Sequence, residues 1–237
     1  MKENSTFVKL PVLRGFKEIE PIWELAQKYG SMICGGYARY CLSQRAKPIP
    51  AGDVDLFPQS EENHDKLLAA IKEIGFPVKH ENEISVTFKN MEKHENPRWV
   101  ICPTIQVIKP VVEGAIVTVG PMEEILNNFD FTIVRAGLLN ADEGLADSDF
   151  VEDDKSCKIH IKNIHCPISS TLRCIKYSKK GYWLSASETC KLFIDWDERG
   201  PDYKIKLLDL IAKMKTPEGE EPNKEDIEEL EKLMNID

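Results

Sequence analysis

Two adjacent glycines, Gly35 and Gly36, stand between the short strand pattern SMIC and a helix pattern that runs to about Leu42. A second strand pattern follows, in which Asp53 and Asp55 are separated by a single apolar residue. Side chains at i and i+2 of a strand point the same way, so these two carboxylates are expected side by side. This stretch therefore predicts a strand–helix–strand unit that carries a glycine turn and an acidic pair.

The two halves of this unit have complementary chemistry. Without Cβ atoms, Gly35 and Gly36 allow the backbone to approach a phosphate, and the N–H groups of the following helix point towards it. Arg39, one helical turn further along, can reach the same anion. Neighbouring carboxylates repel each other, and Mg²⁺, which favours one or two carboxylates together with substrate phosphates, relieves that repulsion. Either half alone is common, but their combination predicts a metal–triphosphate site.

The motif GG-x-x-R, followed seventeen residues after Gly35 by GDVDLF, resembles that of the nucleotidyltransferase superfamily of DNA polymerase beta type. Within it, the sequence resembles bacterial poly(A) polymerases and CCA-adding tRNA nucleotidyltransferases. FDFTIVRAGLL, from Phe129, is similar to the family segment DFTINAL, and TLRCIKYSKKGYWLSASET, from Thr171, to LRAIRFAxxLGFxIxxxT. The resemblance covers residues from about 31 to 195. Matching residues of the last segment are Arg173, Lys176, Tyr177 (where the family has phenylalanine), Gly181 and Thr189.

The resemblance implies both a fold and an activity. The fold would be α+β, with a mixed β-sheet nucleotidyltransferase head domain in residues 1–167 and a helical, neck-like region in 168–237. The activity would be template-independent transfer of a nucleoside monophosphate from an NTP to an acceptor hydroxyl, with release of pyrophosphate. An RNA acceptor, such as a tRNA 3′ end, and thus a part in tRNA processing, follow from the same resemblance.

The resemblance also implies roles for individual residues. Two Mg²⁺ ions would be held by Asp53 and Asp55, with Asp130 as a third acid on a strand next to theirs. The residues that would bind the nucleotide are Gly35, Gly36, Arg39, Arg173 and Lys176.

Three departures from the family pattern keep other interpretations open. Tyr40 stands where an acidic residue is usual, and Asn128 and Phe129 stand where arginines precede the DFT segment. Gln106 lies near the expected position of a third carboxylate, which favours a catalytically silent nucleotide-binding module that acts through a partner. A toxin-like transferase, or one that modifies a small molecule, would use the same site.

Periodicity predicts the remaining elements. Helices are expected at Lys17–Tyr29 and Glu61–Ile74, the latter closed by Gly75. Strands are expected at Ile84–Lys89, Trp99–Ile108, Ala115–Val119 and in FDFTIVRAGLL, with a short helix after Pro121. Helices then dominate, at Ser170–Tyr182, Ser187–Trp196, Tyr203–Met214 and from Lys224 onwards, where Asn223 is the expected N-cap.

Composition limits the class of protein. Hydrophobic residues make up 42% and charged residues 30% of the 237-residue chain, which is typical of a globular protein. No apolar run approaches the roughly 20 residues of a membrane span. The seven scattered cysteines and the absence of an export signal predict reduced thiols and a cytoplasmic location. More than half of the net charge of −9 comes from residues 201–237, so a basic substrate groove elsewhere remains compatible with it.

Other patterns carry weaker functional signals. The segment CKIHIKNIHC contains Cys157, His160, His165 and Cys166, but its spacing matches no usual zinc signature and it alternates like an amphipathic strand. Asp195 and Arg199 form either a surface i,i+4 pair or a base-selecting pair. The apolar stripe of the last predicted helix is expected to pack in the core, with a dimer contact as the alternative, and the oligomeric state stays open.

Overall fold

The structure is a computed structural model of the chain, and it describes residues 6–82, 84–111 and 117–213, without the side chains of 206, 207 and 210–213. It contains a mixed eight-stranded sheet, helices on its faces and a helical region towards the C-terminus. This arrangement confirms the α+β class predicted from the sequence. No helix within the described ranges is long and apolar enough to cross a membrane.

The large sheet has the strand order β1-β8-β7-β2-β3-β6-β5-β4. All neighbouring pairs are antiparallel except β3 and β6, which are parallel. A small parallel sheet joins β9 to β10. The strands are β1 Phe7–Pro11, β2 Ser31–Cys34, β3 Asp53–Pro58, β4 Val78–Glu81, β5 Ser85–Phe88, β6 Thr104–Ile108, β7 Ala136–Leu138, β8 Glu143–Asp147, β9 Lys158–Ile159 and β10 Trp183–Leu184.

Most of the helices agree closely with the predicted ones. The glycine pair opens α2, and Gly75, at φ 102°, ends α3 in the left-handed conformation. Ser60 caps the other end of α3 by accepting a hydrogen bond from the Asn63 N–H. The helices are α1 Phe16–Lys28, α2 Gly36–Leu42, α3 Glu61–Ile74, α4 Met122–Asn127, α5 Phe150–Ser156, α6 Pro167–Ser178, α7 Ala186–Glu198 and α8 Pro201–Lys213.

The two faces of the sheet have different coverings. Helices α1, α2, α3 and α5 pack over one face, where the alternate residues Val54 and Leu56 of β3 enter the main core. On the other face, α4 covers Phe57, the last of the three outward-facing side chains of this strand. Asp53 and Asp55 occupy the uncovered end of that same face. The sheet therefore presents its acidic pair outside the main core.

A separate apolar cluster joins the helical region to the sheet domain. Tyr177 of α6 and Leu192 of α7 pack against Phe131, Ile133 and other residues that precede α6. The parallel pairing of β10 with β9 adds a backbone link between the two parts. This packing holds α6 next to the sheet end that carries the acidic pair.

Two predicted strands are corrected by the structure. The strand expected at Trp99–Ile108 begins only at Thr104, because Pro97 opens a 3₁₀ turn whose Arg98 N–H is bound by the Asn96 side chain at 3.1 Å. FDFTIVRAGLL does not form one strand either, since Thr132–Val134 is a 3₁₀ turn. There, the Thr132 N–H and hydroxyl bind the His160 carbonyl and Asp153, not a neighbouring strand.

The short strand that does form in this segment, β7, pairs with β2 and β8. The expectation that the segment lies next to β3 was therefore wrong. The predicted strand at Ala115–Val119 falls partly outside the described residues, and residues 117–119 are not in a strand. The predicted helix from Lys224 lies wholly outside the described residues. The boundary between head and helical region at 167/168 stays a proposal.

Candidate functional site

The acidic pair lies beside two polar residues of the neighbouring strand. In the parallel register of β3 and β6, Asp53 is opposite Thr104 and Asp55 is opposite Gln106. Residues in register on parallel strands share a face, so Gln106 stands directly beside Asp55. The Gln106 side-chain amide donates to the Ser85 hydroxyl at 2.7 Å. The position next to the acidic pair is thus held by a neutral side chain.

The glycine turn lies against the same carboxylates. Gly35 has a φ of 84°, and a Cβ atom placed on it would lie 3.1 Å from Oδ2 of Asp55 and 3.2 Å from the Phe129 ring. Any side chain here would therefore be strained and crowded, which explains the glycine. The Gly35 N–H is already bound to the Ala136 carbonyl at 2.7 Å. The donors left for a ligand are the first N–H groups of α2, which have no acceptor within the helix.

The electrostatic environment favours a cation at the carboxylates. Burial, and then the charge of Asp53, raises the pKa of Asp55 to about 7, while Lys176 acts in the opposite direction. A nearby positive charge would stabilise the ionised form of this carboxyl group, which is otherwise unfavourable. The donor set of two carboxylates fits Mg²⁺, which completes its coordination with phosphates and water. Within the described residues, no group of three or more His, Cys, Asp or Glu side chains is arranged to hold a metal ion alone.

Two lysines near the C-terminal end of α6 act on these acids: Lys176 lies in the last turn of the helix, and Lys180 lies in the turn that follows it. Lys176 is exposed, and its charge acts on Asp55. Lys180 follows it by one turn, and its ammonium lies 5.4 Å from the centre of the Tyr177 ring. Burial, then the charges of Lys176 and Arg39, lowers the pKa of Lys180, whereas Asp53 raises it. These lysines give the end of α6 a positive surface opposite the acidic pair.

Arg39 is fully buried behind this surface. Its guanidinium donates to the Ile49 carbonyl at 2.8 Å and to the Tyr182 hydroxyl at 3.4 Å, and its Nε has no hydrogen-bond partner among the described residues. Tyr182 in turn donates to Asp154, which also accepts from the Ser43 hydroxyl at 2.5 Å. This buried network fixes the guanidinium of Arg39, a residue of α2, against Tyr182, which follows α6. From this position the charge of Arg39 acts on Tyr177 and Lys180.

Asp130 and Arg173 bind each other. The Asp130 carboxylate is 2% exposed and accepts hydrogen bonds from Arg173 at 2.7 Å and from the Ser170 hydroxyl at 3.1 Å. Arg135, which is closer in the sequence, donates to the Phe129 carbonyl at 2.8 Å and lies 3.6 Å from Asp147. The structure therefore connects Asp130 with α6, and not with the strand that carries Asp53 and Asp55.

The remaining candidate residues have structural partners of their own. In the cysteine and histidine segment, His160 lies 3.3 Å from Asp153, and the Cys166 thiol lies 3.4 Å from the Tyr203 hydroxyl. The predicted pair of Asp195 and Arg199 is present at 3.2 Å, and this arginine also donates to the His165 carbonyl at 2.8 Å. Tyr40 packs over Gly15 at the far end of α2.

Sequence reasoning missed two residues of the site. Lys180 is not a match to the family segment, but it follows Lys176 by four residues, a spacing that places two side chains on the same side of a helix. Tyr177 was read only as a match to an aromatic position. Its hydroxyl lies 4.0 Å from a Cβ placed on Gly36. The tyrosine in place of phenylalanine was the available signal.

Solved structures with the same fold are nucleic-acid enzymes. The CCA-adding enzyme of Bacillus stearothermophilus in complex with CTP has a TM-score of 0.50 at 18% identity, over 73% of this chain and 41% of that one. The Thermotoga maritima CCA-adding enzyme complexed with tRNA has a TM-score of 0.51 at 14% identity, over 91% of this chain and 51% of that one. A tRNA-processing enzyme in an apo form has a TM-score of 0.52 at 18% identity, over 94% of this chain and 58% of that one. No family model and no curated protein sequence matches this chain.

These comparisons define the class of fold. The chain has the α+β fold of these CCA-adding enzymes, as the sequence motifs predicted. It spans about half the length of the structures that it matches. At 14–18% identity the likeness concerns the fold, and the chemistry of the site has to be argued from its own residues.

Proposed function

We propose that the protein is a template-independent nucleotidyltransferase that moves a nucleoside monophosphate from an NTP to an acceptor hydroxyl. The observation that carries this proposal is the closeness of Asp55 to the glycine turn, since a Cβ atom placed on Gly35 would lie only 3.1 Å from Oδ2 of Asp55. It joins an acidic pair, which suits Mg²⁺, to a glycine turn, which suits a triphosphate. In the reaction the acceptor oxygen bonds to the α-phosphorus, the α–β phosphoanhydride bond breaks, and pyrophosphate and a proton are released.

The residues divide into three groups with different parts in this reaction. Asp53 and Asp55 would hold Mg²⁺, which supplies charge neutralisation for the attacking and leaving oxygens when bound. Gly35 and Gly36 leave room for the triphosphate at the start of α2. Positive charge comes from the basic residues around it, which are Arg39 from the interior, Lys176 from α6 and Lys180 from the turn after α6.

Asp130 and Arg173 have a different part from the one that the family motif implies. Their mutual hydrogen bond uses the Asp130 carboxylate, so we propose that this pair positions α6 over the site. Arg173 keeps a half-exposed side chain, which leaves it able to approach the nucleotide while it stays paired. The third-acid role of Asp130 is replaced by this positioning role.

RNA is the acceptor that we propose. The support is the fold, since the solved structures that share it include a CCA-adding enzyme complexed with tRNA. A protein or small-molecule acceptor would use the same acidic pair and glycine turn, and its hydroxyl would approach from the same side. The acceptor is therefore a separate part of the proposal from the nucleotide chemistry.

Gln106 favours a second candidate, a silent nucleotide-binding module. Its side chain stands in register beside Asp55, where a carboxylate would add a charged ligand. A neutral amide binds Mg²⁺ less strongly than a carboxylate, so turnover at this site would depend on Asp53 and Asp55 alone. In the silent form, these residues would bind the nucleotide and a partner protein would use the complex.

Incubation with Mg²⁺, total cellular RNA and each NTP labelled at the α-phosphate tests the two candidates. The wild type should label RNA, and Asp53→Asn should label none while its circular dichroism spectrum is unchanged. Asp142→Asn, which removes an exposed carboxylate, is the matched control and should label RNA normally. If the wild type transfers nothing from any NTP and Gln106→Glu gains transfer, the silent module is the correct function.

A further inference from the structure

The hydroxyl of Tyr177 has no hydrogen-bond partner in the part of the chain that the structure describes. The side chain is 7% exposed. Its ring is fixed by edge-to-face contacts with Phe131 and Tyr182, whose centroids lie 6.0 Å and 5.6 Å away. Tyrosines with a buried ring usually bind a partner through their hydroxyl group. The Tyr177 oxygen is not one of the fully enclosed side-chain atoms without a partner, so it reaches solvent-accessible space and is open to a ligand.

The hydroxyl faces the glycine turn. A Cβ placed on Gly36 would have the Tyr177 oxygen as its single neighbour within 4 Å, at a distance of 4.0 Å. The space beside Gly36 is therefore open, and the Tyr177 hydroxyl forms its far wall. A Cβ placed on the preceding residue, Gly35, would lie 3.1 Å from Oδ2 of Asp55, so the Asp55 carboxylate borders the same turn. A ligand that enters beside Gly36 meets this hydroxyl group.

The charges around Tyr177 are those of the proposed site. Burial raises the pKa of its phenol, Arg39 lowers it, and Asp130 and Asp55 raise it further. The phenol therefore stays protonated at neutral pH and is available as a donor. The ammonium of Lys180 lies over the same ring at 5.4 Å from its centre. A bound anion would thus be held by a neutral O–H donor next to positive charges.

We propose that the Tyr177 hydroxyl binds the nucleotide, by donating a hydrogen bond to a phosphate oxygen of the triphosphate held beside Gly36. This inference rests on the proposed function, because it takes the glycine turn as the triphosphate site. Phenylalanine at this position, as in the family segment, would provide the ring without the donor. The hydroxyl is therefore an additional contact that this chain possesses.

The test uses the Tyr177→Phe variant, which keeps the ring and its packing and removes only the donor. Tyr29→Phe, at the end of α1, removes a hydroxyl remote from the site and is the control. Calorimetric titrations in Mg²⁺ would measure the affinity of each protein for NTP and for inorganic tripolyphosphate. Tyr177→Phe should bind both about tenfold more weakly, since a hydrogen bond to a charged group is lost, while Tyr29→Phe binds as the wild type does.

The outcomes separate this inference from the proposed function. If the wild type binds NTP and Tyr177→Phe binds NTP and tripolyphosphate equally well, the hydroxyl is not a ligand contact and the inference fails alone. If the loss occurs with NTP but not with tripolyphosphate, the hydroxyl contacts the sugar or base, and the phosphate assignment is wrong. If the wild type binds no NTP at all, the proposed function itself fails.

Discussion

Among the single residues, Asp55 lies in the proposed site, where its surroundings disfavour the ionised form of its carboxyl group. Its carboxylate borders the glycine turn and lies beside Asp53. Burial and the neighbouring charge raise its pKa from 3.8 to about 7. Without a bound cation, the folded protein therefore holds the Asp55 proton more tightly than the unfolded chain does. Folding stability is linked to pH by that difference.

The sign of the linkage gives a prediction for Asp55→Asn. The contribution of Asp55 to stability is fully present below pH 3.8 and is lost as the pH rises to about 7. Asparagine cannot ionise, so in metal-free buffer the variant should be more stable than the wild type at pH 8, by on the order of 2–4 kcal/mol. The difference should almost vanish at pH 4, and the variant should transfer no nucleotide.

Thermal melting from pH 4 to pH 8 in the presence of a chelator measures this effect. Asp142→Asn, at an exposed aspartate, is the control and should follow the wild type across the whole range. A constant difference between Asp55→Asn and the wild type at both ends of the range would contradict a raised pKa for this partly buried carboxylate beside Asp53.

The residues of the site differed in how far the sequence could predict them. The i,i+2 spacing of Asp53 and Asp55 and the glycine pair are local patterns, so their placement followed from strand and helix geometry. The pairing of Asp130 with Arg173 joins residues 43 positions apart in the sequence, and no local sequence pattern predicts a contact over such a separation. Such contacts depend on how α6 packs, which periodicity does not encode.

At the scale of elements, α6 connects the helical region to the site. Asp130 lies beneath it, 2% exposed, and removal of Arg173 would leave that carboxylate with Ser170 as its remaining side-chain partner. We expect Arg173→Ala to lower the free energy of unfolding by about 1–3 kcal/mol. Lys176→Ala, which removes an exposed lysine of the same helix, should leave stability unchanged and weaken NTP binding about tenfold.

A double-mutant cycle of Arg173→Ala and Asp130→Asn, followed by denaturant unfolding, checks the first expectation. The combined loss should be smaller than the sum of the two single losses by about 0.5–3 kcal/mol, because both variants break the same contact. Additive losses would show that the pair does not hold α6. An unchanged NTP affinity of Lys176→Ala would return this lysine to the solvated surface.

The elements that the sequence predicted well carry strong local signals. α3 has an apolar period of helical spacing, a serine N-cap and a glycine C-cap, and its bounds were predicted residue for residue. β1, β4, β8 and α5 were not predicted, because no motif marks them in the sequence and α5 has no side-chain cap. The order of these strands in the sheet depends on pairing between distant segments, as for β1 with β8.

At the scale of the whole molecule, charge is distributed unevenly. The chain carries a net charge of −9, yet the surface opposite the acidic pair is formed by Lys176 and Lys180, with Arg39 behind it. A local concentration of positive charge attracts phosphate groups even when the total charge is negative. The fold thus creates a phosphate-binding environment that composition alone does not show.

A two-label experiment tests whether this environment transfers a nucleotidyl group. The protein would be incubated with Mg²⁺, RNA and ATP labelled at either the α- or the γ-phosphate, with parallel reactions for the other NTPs. We expect the α-label to enter the RNA and the γ-label to appear in pyrophosphate, with both signals lost in Asp53→Asn. Transfer of the γ-label to the RNA, or α-label transfer that persists in Asp53→Asn, would contradict this expectation.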